Sequence, residues 1–558
     1  MGTSFRQAMA WLHTWSGLVV GWVLLAIFVT GTASYYRADI SRWMRPELGQ
    51  SQALSGAPLS PDAVARAAEL GVAHLQRHAG GARTWFIGLP TPDSPVLDLF
   101  WRTKPGTPPG QARLDPATGE PAAIRETKGG DFLYRFHFEL HMPPLWGRWI
   151  VGLCAMIMLV ALISGVITHR RIFADFFTLR RDKAPQRGWL DAHNVTGVLA
   201  LPFHLMITYT GIVTLGVMYM PWGITTAYKG EAQTFFAESG QIPVPRAAAG
   251  QPGTLAPIGP MVREAMATVS EPLERLSIVN PRDAHAVVTA VFEEPHGLSH
   301  EHPQIAFDGV TGAVREVRQG GLRPAARTFT TLVGLHEAHF AGPALRILFF
   351  LCGLMGSAMV ATGLVLWSVA RLPQALPKAL PQALPQALPK ALPQASGRAG
   401  GRGFLGLRLV QALNIGAVAG LPAAIAAYFL ANRLLPLALA GRADAEIGAF
   451  FATWGLVTLA ALAGPSRRAW GAALTATAGL YLAVVAADLA RVDHHWAGLL
   501  AGQARFVWFD ATLLALAGLF AVAARKLARY AGPRRAAPAP AAARAGLGAL
   551  AAPGPSAR

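Results

Sequence analysis

His193-Asn194-Val195-Thr196-Gly197-Val198-Leu199-Ala200-Leu201-Pro202-Phe203-His204-Leu205-Met206-Ile207-Thr208-Tyr209-Thr210-Gly211 is the stretch that decides the fold. It reads as an apolar helix with a histidine at its mouth and a second, His204, about halfway down. The same frame stands near the N-terminus, where His13, Gly17, Thr30 and Gly31 keep the offsets of His193, Gly197, Thr210 and Gly211. The following apolar segments repeat too. After His141 come Arg148, Cys154 and Gly165; after His339 come Arg346, Cys352 and Gly363, with identical spacing. The first 371 residues therefore read as a duplicated unit of two membrane helices, each copy with a histidine near both ends.

Composition agrees. Of 558 residues 52% are hydrophobic and 14% charged, and the mean hydropathy is +0.34, too apolar for a soluble chain of this size. Apolar runs of spanning length stand at roughly 12–36, 147–168, 190–220, 344–370, 405–431, 446–464, 469–489 and 506–524, which makes eight spans. The net charge of +18 falls to basic cytoplasmic loops and the tail, so no nucleic-acid partner is expected. The two cysteines lie inside predicted spans and argue against a disulfide framework.

Orientation follows from the loops. Arg170, Arg171, Arg180, Arg181, Lys183 and Arg187 place the 169–188 connection inside, with both termini. The first span is expected to stay as an uncleaved anchor, because its apolar core is long for a signal and cleavage would discard His13. The expected fold class is an α-helical polytopic membrane protein with two small α+β outer domains and a four-helix C-terminal membrane extension. Its segments are a first span (1–36), an outer domain (37–146), spans two and three with the basic loop (147–220), a second outer domain (221–343) and a fourth span (344–371). A Pro-rich repeat linker (372–403), four further spans (404–530) and a disordered basic tail (531–558) complete the chain.

Each outer segment reads as a helix followed by short strands. Asp115-Pro116-Ala117-Thr118-Gly119 in the first and Asp308-Gly309-Val310-Thr311-Gly312 in the second share D-x-x-T-G. That pattern fits a hairpin turn in which Asp accepts from the backbone ahead and Gly takes positive φ.

A D-x-x-T-G hairpin in a module of this size resembles the PepSY domain. Two such modules alternating with four histidine-bearing spans resemble the PepSY-associated transmembrane proteins, over about residues 5–371. That family includes bacterial inner-membrane ferric-siderophore reductases that hold b-type haem. The resemblance implies two haem b groups, a ferric siderophore or other ferric chelate as substrate, and an inner-membrane location. It maps the haem iron ligands onto His13, His193, His141 and His339, with His169, His204 and His336 as further candidates.

Haem held by two imidazoles needs neutral histidines at matched depth on neighbouring helices. His13, His193 and His169 fall at the inner end, and His137, His141, His336 and His339 at the outer end. His137 and His336 are off-register by one residue and rank second to His141 and His339. Taken singly, each is an ordinary interfacial side chain; recurrence in both copies favours ligation. Arg148 and Arg346 either pair haem propionates or snorkel. The sequence has no P-loop, no C-x-x-C and no G-x-G-x-x-G after a strand, so a separate electron donor is expected, a membrane quinol or a cytosolic reductase. The alternative is a non-catalytic PepSY membrane protein that regulates or scaffolds an envelope protease or an iron-uptake complex.

Overall fold

The computed structural model describes residues 4–49, 59–91, 94–103, 109–169, 185–375, 401–492 and 505–530. The basic 170–184 loop, most of the Pro-rich linker, His494, His495 and the tail lie outside them.

The chain is a multi-pass membrane protein. Seven described helices are long and apolar enough to span, and one bent pair brings the number to eight when taken as a single span. In chain order the elements are α1 (Phe5–Ser34), α2 (Arg37–Trp43), α3 (Pro61–His78), β1 (Thr84–Gly88), β2 (Leu97–Arg102), β3 (Gly110–Leu114), α4 (Gly130–Glu139) and α5 (Pro144–Thr168). The bent pair is α6 (Pro185–Leu199) and α7 (Leu201–Thr214). The second half continues with α8 (Ile258–Thr268), β4 (Leu273–Val279), β5 (Val287–Phe292), β6 (Gln304–Asp308), β7 (Val314–Arg318), α9 (Pro324–Glu337) and α10 (Pro343–Ala375).

The deciding stretch is not one straight helix. It breaks at Ala200, which leaves helical geometry (φ −107°, ψ 20°), and the two halves meet at 68°. Pro202 is the physical reason: it has no N–H to offer Val198, and its ring crowds the preceding turn. At the other end of the repeat, α10 runs through Pro373 to Ala375, four residues past the boundary the proline repeat suggested.

The two outer modules share one sheet. Their strands form a seven-stranded antiparallel sheet in the order β3-β2-β1-β4-β5-β6-β7. The seam is β1 against β4, in register from Thr84 opposite Val279 to Gly88 opposite Arg275. Strand alternation places Trp85, Ile87, Leu97, Leu99, Ile278, Val288 and Phe307 on the buried face. Val64, Ala68, Leu75, Met261, Val262 and Ala265 of α3 and α8 cover that face, so the sheet and two helices close a single core.

The D-x-x-T-G turns match atom for atom. Asp115 Oδ1 accepts from Ala117 N at 2.8 Å and Thr118 N at 3.0 Å; Asp308 Oδ1 accepts from Val310 N at 3.0 Å and Thr311 N at 2.9 Å. Gly119 and Gly312 both stand at φ +76°, where a side chain would be strained.

Within the membrane α1 is central, packed on α5 and α10, while α6 lies on α10 and α7 on α5. Small residues allow the close approach: a Cβ on Gly353 would stand 2.3 Å from the Thr32 hydroxyl, and one on Gly21 would stand 2.6 Å from Leu364.

The C-terminal helices α11 (Gly401–Ile415), α12 (Leu421–Leu434), α13 (Arg442–Ala463), α14 (Arg467–Arg491) and α15 (Arg505–Arg529) form a bundle joined to this core. Asn414 bridges it at mid-height, accepting from Trp22 Nε1 at 2.9 Å and donating to the Leu364 carbonyl at 3.0 Å. At the outer end Arg433 pairs with Asp488, both fully buried, and its guanidinium lies 3.7 Å from the ring centre of Trp43. Tyr428 donates to the Gly129 carbonyl at 3.0 Å. These contacts make the bundle a wall of the core.

Candidate functional site

Four histidines meet in two pairs, one toward each end of the repeat. At the inner end His13 of α1 and His193 of α6 face each other with ring centres 6.1 Å apart. At the outer end His137 of α4 and His336 of α9 do the same at 6.0 Å.

All four rings are held by one device. His13 Nδ1 donates to the Ala161 carbonyl at 2.8 Å, His193 Nδ1 to Met359 at 2.8 Å, and His137 Nδ1 to Ile27 at 2.8 Å. His336 Nδ1 lies 3.1 Å from Thr210 Oγ1 and engages the Ile207 backbone. Each accepting carbonyl stands one helical turn before a glycine, namely Gly165, Gly363, Gly31 and Gly211. A Cβ at those glycines would come within 3.0, 3.1, 2.6 and 2.8 Å of the imidazole it faces. The glycine lets the ring lie against the helix, and the carbonyl fixes the tautomer with the proton on Nδ1, so the lone pair is on Nε2. Nε2 of all four has no hydrogen bond among the described residues.

Each pair opens into a cavity. The outer one, about 560 Å³, is lined by His137, His336, Tyr134, Phe203, Arg346 and Glu337 among others. The inner one, about 380 Å³, is lined by His13, His193, His169, Gln186, Trp367 and Arg371 among others. Both volumes fall in the range of small-molecule and cofactor sites, roughly 300–1,000 Å³. Leu24 and Met158 border both cavities and form the partition between them. Burial pushes the His137 imidazole below its ordinary range and the His336 imidazole down to about 3, which keeps both neutral.

The pattern read from the sequence and the geometry agree at the inner end and differ at the outer. His13 and His193 are brought together, and His169 caps α5 on the rim of their cavity. His141 and His339 are not brought together. His141 packs on Phe132 and Phe451 at a left-handed turn (φ 54°), while His339 turns toward Glu294 and Glu337. The outer pair is the off-register one, His137 with His336. Helices α4 and α9 both end in left-handed turns, at Leu140 and Ala338, so the turn that carries His137 and His336 precedes the histidines on which the repeat aligns. The rows of residues that could have revealed this are the glycines, since Gly31 and Gly211 repeat strictly and each faces one of these rings.

His204 lies between the two levels. It is fully buried beside Phe28 and Phe203, and neither ring nitrogen meets hydrogen-bond geometry, although the backbones of Gly197 and Cys352 run alongside. Arg148 is committed to Glu139 at 2.5 Å and lies off the outer cavity, whereas Arg346 lines it. Arg371, which the sequence pattern did not single out, borders the inner cavity with its guanidinium 4.0 Å from the Trp367 ring centre.

The residues fit a bis-imidazole iron centre. Imidazole nitrogens bind a transition metal at about 2.0–2.1 Å, which places the two ring centres roughly 6 Å apart. The cavities are walled mainly by apolar and aromatic side chains, as a macrocycle requires, and each has an arginine at its edge for an anionic group.

The chain belongs to the family described as the PepSY-associated TM region, whose model matches residues 10–370. That interval holds both histidine pairs and all four glycines. The uncharacterized protein PA4219 of Pseudomonas aeruginosa is 29% identical over 426 residues, covering 72% of this chain and 96% of that protein.

Proposed function

We propose that the chain binds two haem b groups and passes electrons across the inner membrane to ferric chelates on the outer side. One observation carries the reading: two imidazole pairs at 6.0 and 6.1 Å, each ring anchored through Nδ1 and cleared by a glycine. Bound there, a b-type haem supplies reversible one-electron chemistry at its iron.

The chain's own residues do the rest. His13 with His193 hold the inner group and His137 with His336 the outer one. Their Nδ1 bonds raise ligand basicity and fix ring orientation before any ligand arrives. Leu24 and Met158, which border both cavities, stand between the sites. Along α1, from His13 to the Ile27 carbonyl that holds His137, 14 residues rise about 21 Å, which spans much of a hydrocarbon core of about 30 Å. His204 stands within that interval as a polarisable, unsatisfied ring whose role is to tune the two potentials. Ferric chelate meets the chain at the outer cavity; a separate quinol or cytosolic reductase supplies electrons at the inner one. Both termini are cytoplasmic in this arrangement.

The test is vectorial. Protein reconstituted in vesicles, with reductant on the His13 side and a ferric chelate plus a ferrous indicator on the other, should reduce iron. Vesicles carrying His193→Ala should not. Equal rates for both proteins would remove the reductase reading and leave a non-catalytic membrane protein.

A further inference from the structure

A second cluster of ligand-type side chains lies beyond the two histidine pairs, and the repeat does not account for it. In the β5–β6 loop, Glu294, His300 and His302 converge with His339, which lies in the turn between α9 and α10. The donor atoms of Glu294, His300 and His339 all fall within 4.8 Å of one another. His339 Nδ1 is 3.1 Å and His302 Nε2 3.4 Å from Glu294 Oε1, and His300 Nδ1 crowds the same oxygen. Three imidazoles aimed at one carboxylate oxygen outnumber its two lone pairs, so hydrogen bonding alone does not explain the arrangement.

The outer partners are those of a metal centre. His302 Nδ1 donates to the Phe292 carbonyl at 2.8 Å, which turns Nε2 inward. His339 Nε2 lies 3.4 Å from Glu337 Oε2, which leaves Nδ1 facing Glu294. A carbonyl behind one imidazole and a carboxylate behind another is the support that metal-ligating histidines receive. The loop is also pinned. His300 N donates to the Thr330 carbonyl at 3.0 Å, Ser299 Oγ bonds Thr330 Oγ1 at 2.8 Å, and a Cβ on Gly334 would stand 2.0 Å from the Leu298 carbonyl. The stretch from His296 to His302, which Pro295, Gly297 and Pro303 mark as a loop in the sequence, is thereby fixed to α9, the helix that carries His336.

We propose that Glu294, His300, His302 and His339 form a site for a divalent first-row transition-metal ion. Imidazole and carboxylate together suit that class over calcium or magnesium, which take oxygen ligands. His339 is half exposed and also lines the outer cavity, as does Glu337, so the site is open to solvent on one side and adjoins the outer histidine pair on the other. Naming the ion as iron rests on the reductase reading. One electron delivered at the outer cavity converts Fe³⁺ to Fe²⁺ and oxidises the upstream donor by one electron, and the site receives the Fe²⁺ as it leaves its chelator.

Full-length detergent-purified protein titrated with Co²⁺ in a calorimeter tests the site, with Mg²⁺ as the control. The wild type should bind one Co²⁺ per chain and no Mg²⁺. His300→Ala and the size-conserving Glu294→Gln should each lose at least tenfold in affinity. Haem content and thermal unfolding, read on the same samples, should match wild type and so report intact folding. A wild-type protein without saturable Co²⁺ binding overturns the site, as do well-folded variants that bind as tightly as wild type. Haem-free protein that still binds Co²⁺ through these residues supports the site and overturns only the naming of iron.

Discussion

His137 of the first outer module and His336 of the second face each other across the outer cavity with ring centres 6.0 Å apart. Their own helices do not place them; each leans on the span that precedes its own module, His137 on Ile27 of α1 and His336 on Thr210 of α7. The pair thus exists only when modules and spans assemble together, and this sets the first prediction.

His137→Ala or His336→Ala should remove one haem per chain and leave the other. His141→Ala and His339→Ala should leave both, because the first packs on Phe132 and Phe451 and the second faces Glu294. Pyridine haemochrome per mole of protein decides between the two sets.

The glycines carry an independent prediction. A Cβ at Gly31 or Gly211 would stand 2.6 or 2.8 Å from the ring it faces, and the backbone behind it is helical, so the imidazole must move. Gly31→Val and Gly211→Val should cost the outer haem, and Gly165→Val and Gly363→Val the inner one. Gly455→Ala, with nothing within 4 Å of the added carbon, should be silent in the same assay.

The C-terminal bundle should prove structural. Arg433 and Asp488 are both fully buried, so removing one partner strands a charge beside Trp43. Asp488→Ala should lower stability by about 3–5 kcal/mol, and Arg433→Met with Asp488→Leu should recover most of it. Denaturant unfolding of the full chain measures both.

The module turn has a pH signature. Backbone donation from Thr311, aided by Arg246 at 2.6 Å, holds the Asp308 carboxyl down to about 2. A depressed folded-state value means that the contribution is complete above pH ~4 and fades as pH falls toward 2. Asp308→Ala should remove about 1–2 kcal/mol at pH 7 and much less at pH 2, whereas Asp308→Asn keeps the acceptor and loses less. Thermal unfolding across that range checks the sign.

Much of this was legible in the sequence, for identifiable reasons. Hydropathy placed eight spans because a spanning helix must satisfy its own backbone and leaves a long apolar run. The D-x-x-T-G turns were readable because Asp and Gly act there through the local backbone alone. The joining of β1 to β4 was not, since an edge pairing between modules leaves no local pattern. The outer pair is hidden from the repeat because its spacing aligns His141 with His339, at a turn, whereas the paired rings stand one helical turn earlier, His137 against Gly31 and His336 against Gly211. The bend at Ala200 has a sequence signal in Pro202, but the apolar run continues unbroken through it and so carries no mark of the break.

The central claim is that two imidazole pairs each hold a haem. Purified full-length protein from haem-replete cells should show reduced b-type absorption bands, and quantification should give two non-covalent, low-spin haems per chain. His13→Ala and His336→Ala should each lower that number to one, and the two substitutions together should lower it to zero. A folded, colourless wild-type protein, or haem content unchanged by the double substitution, would contradict the account.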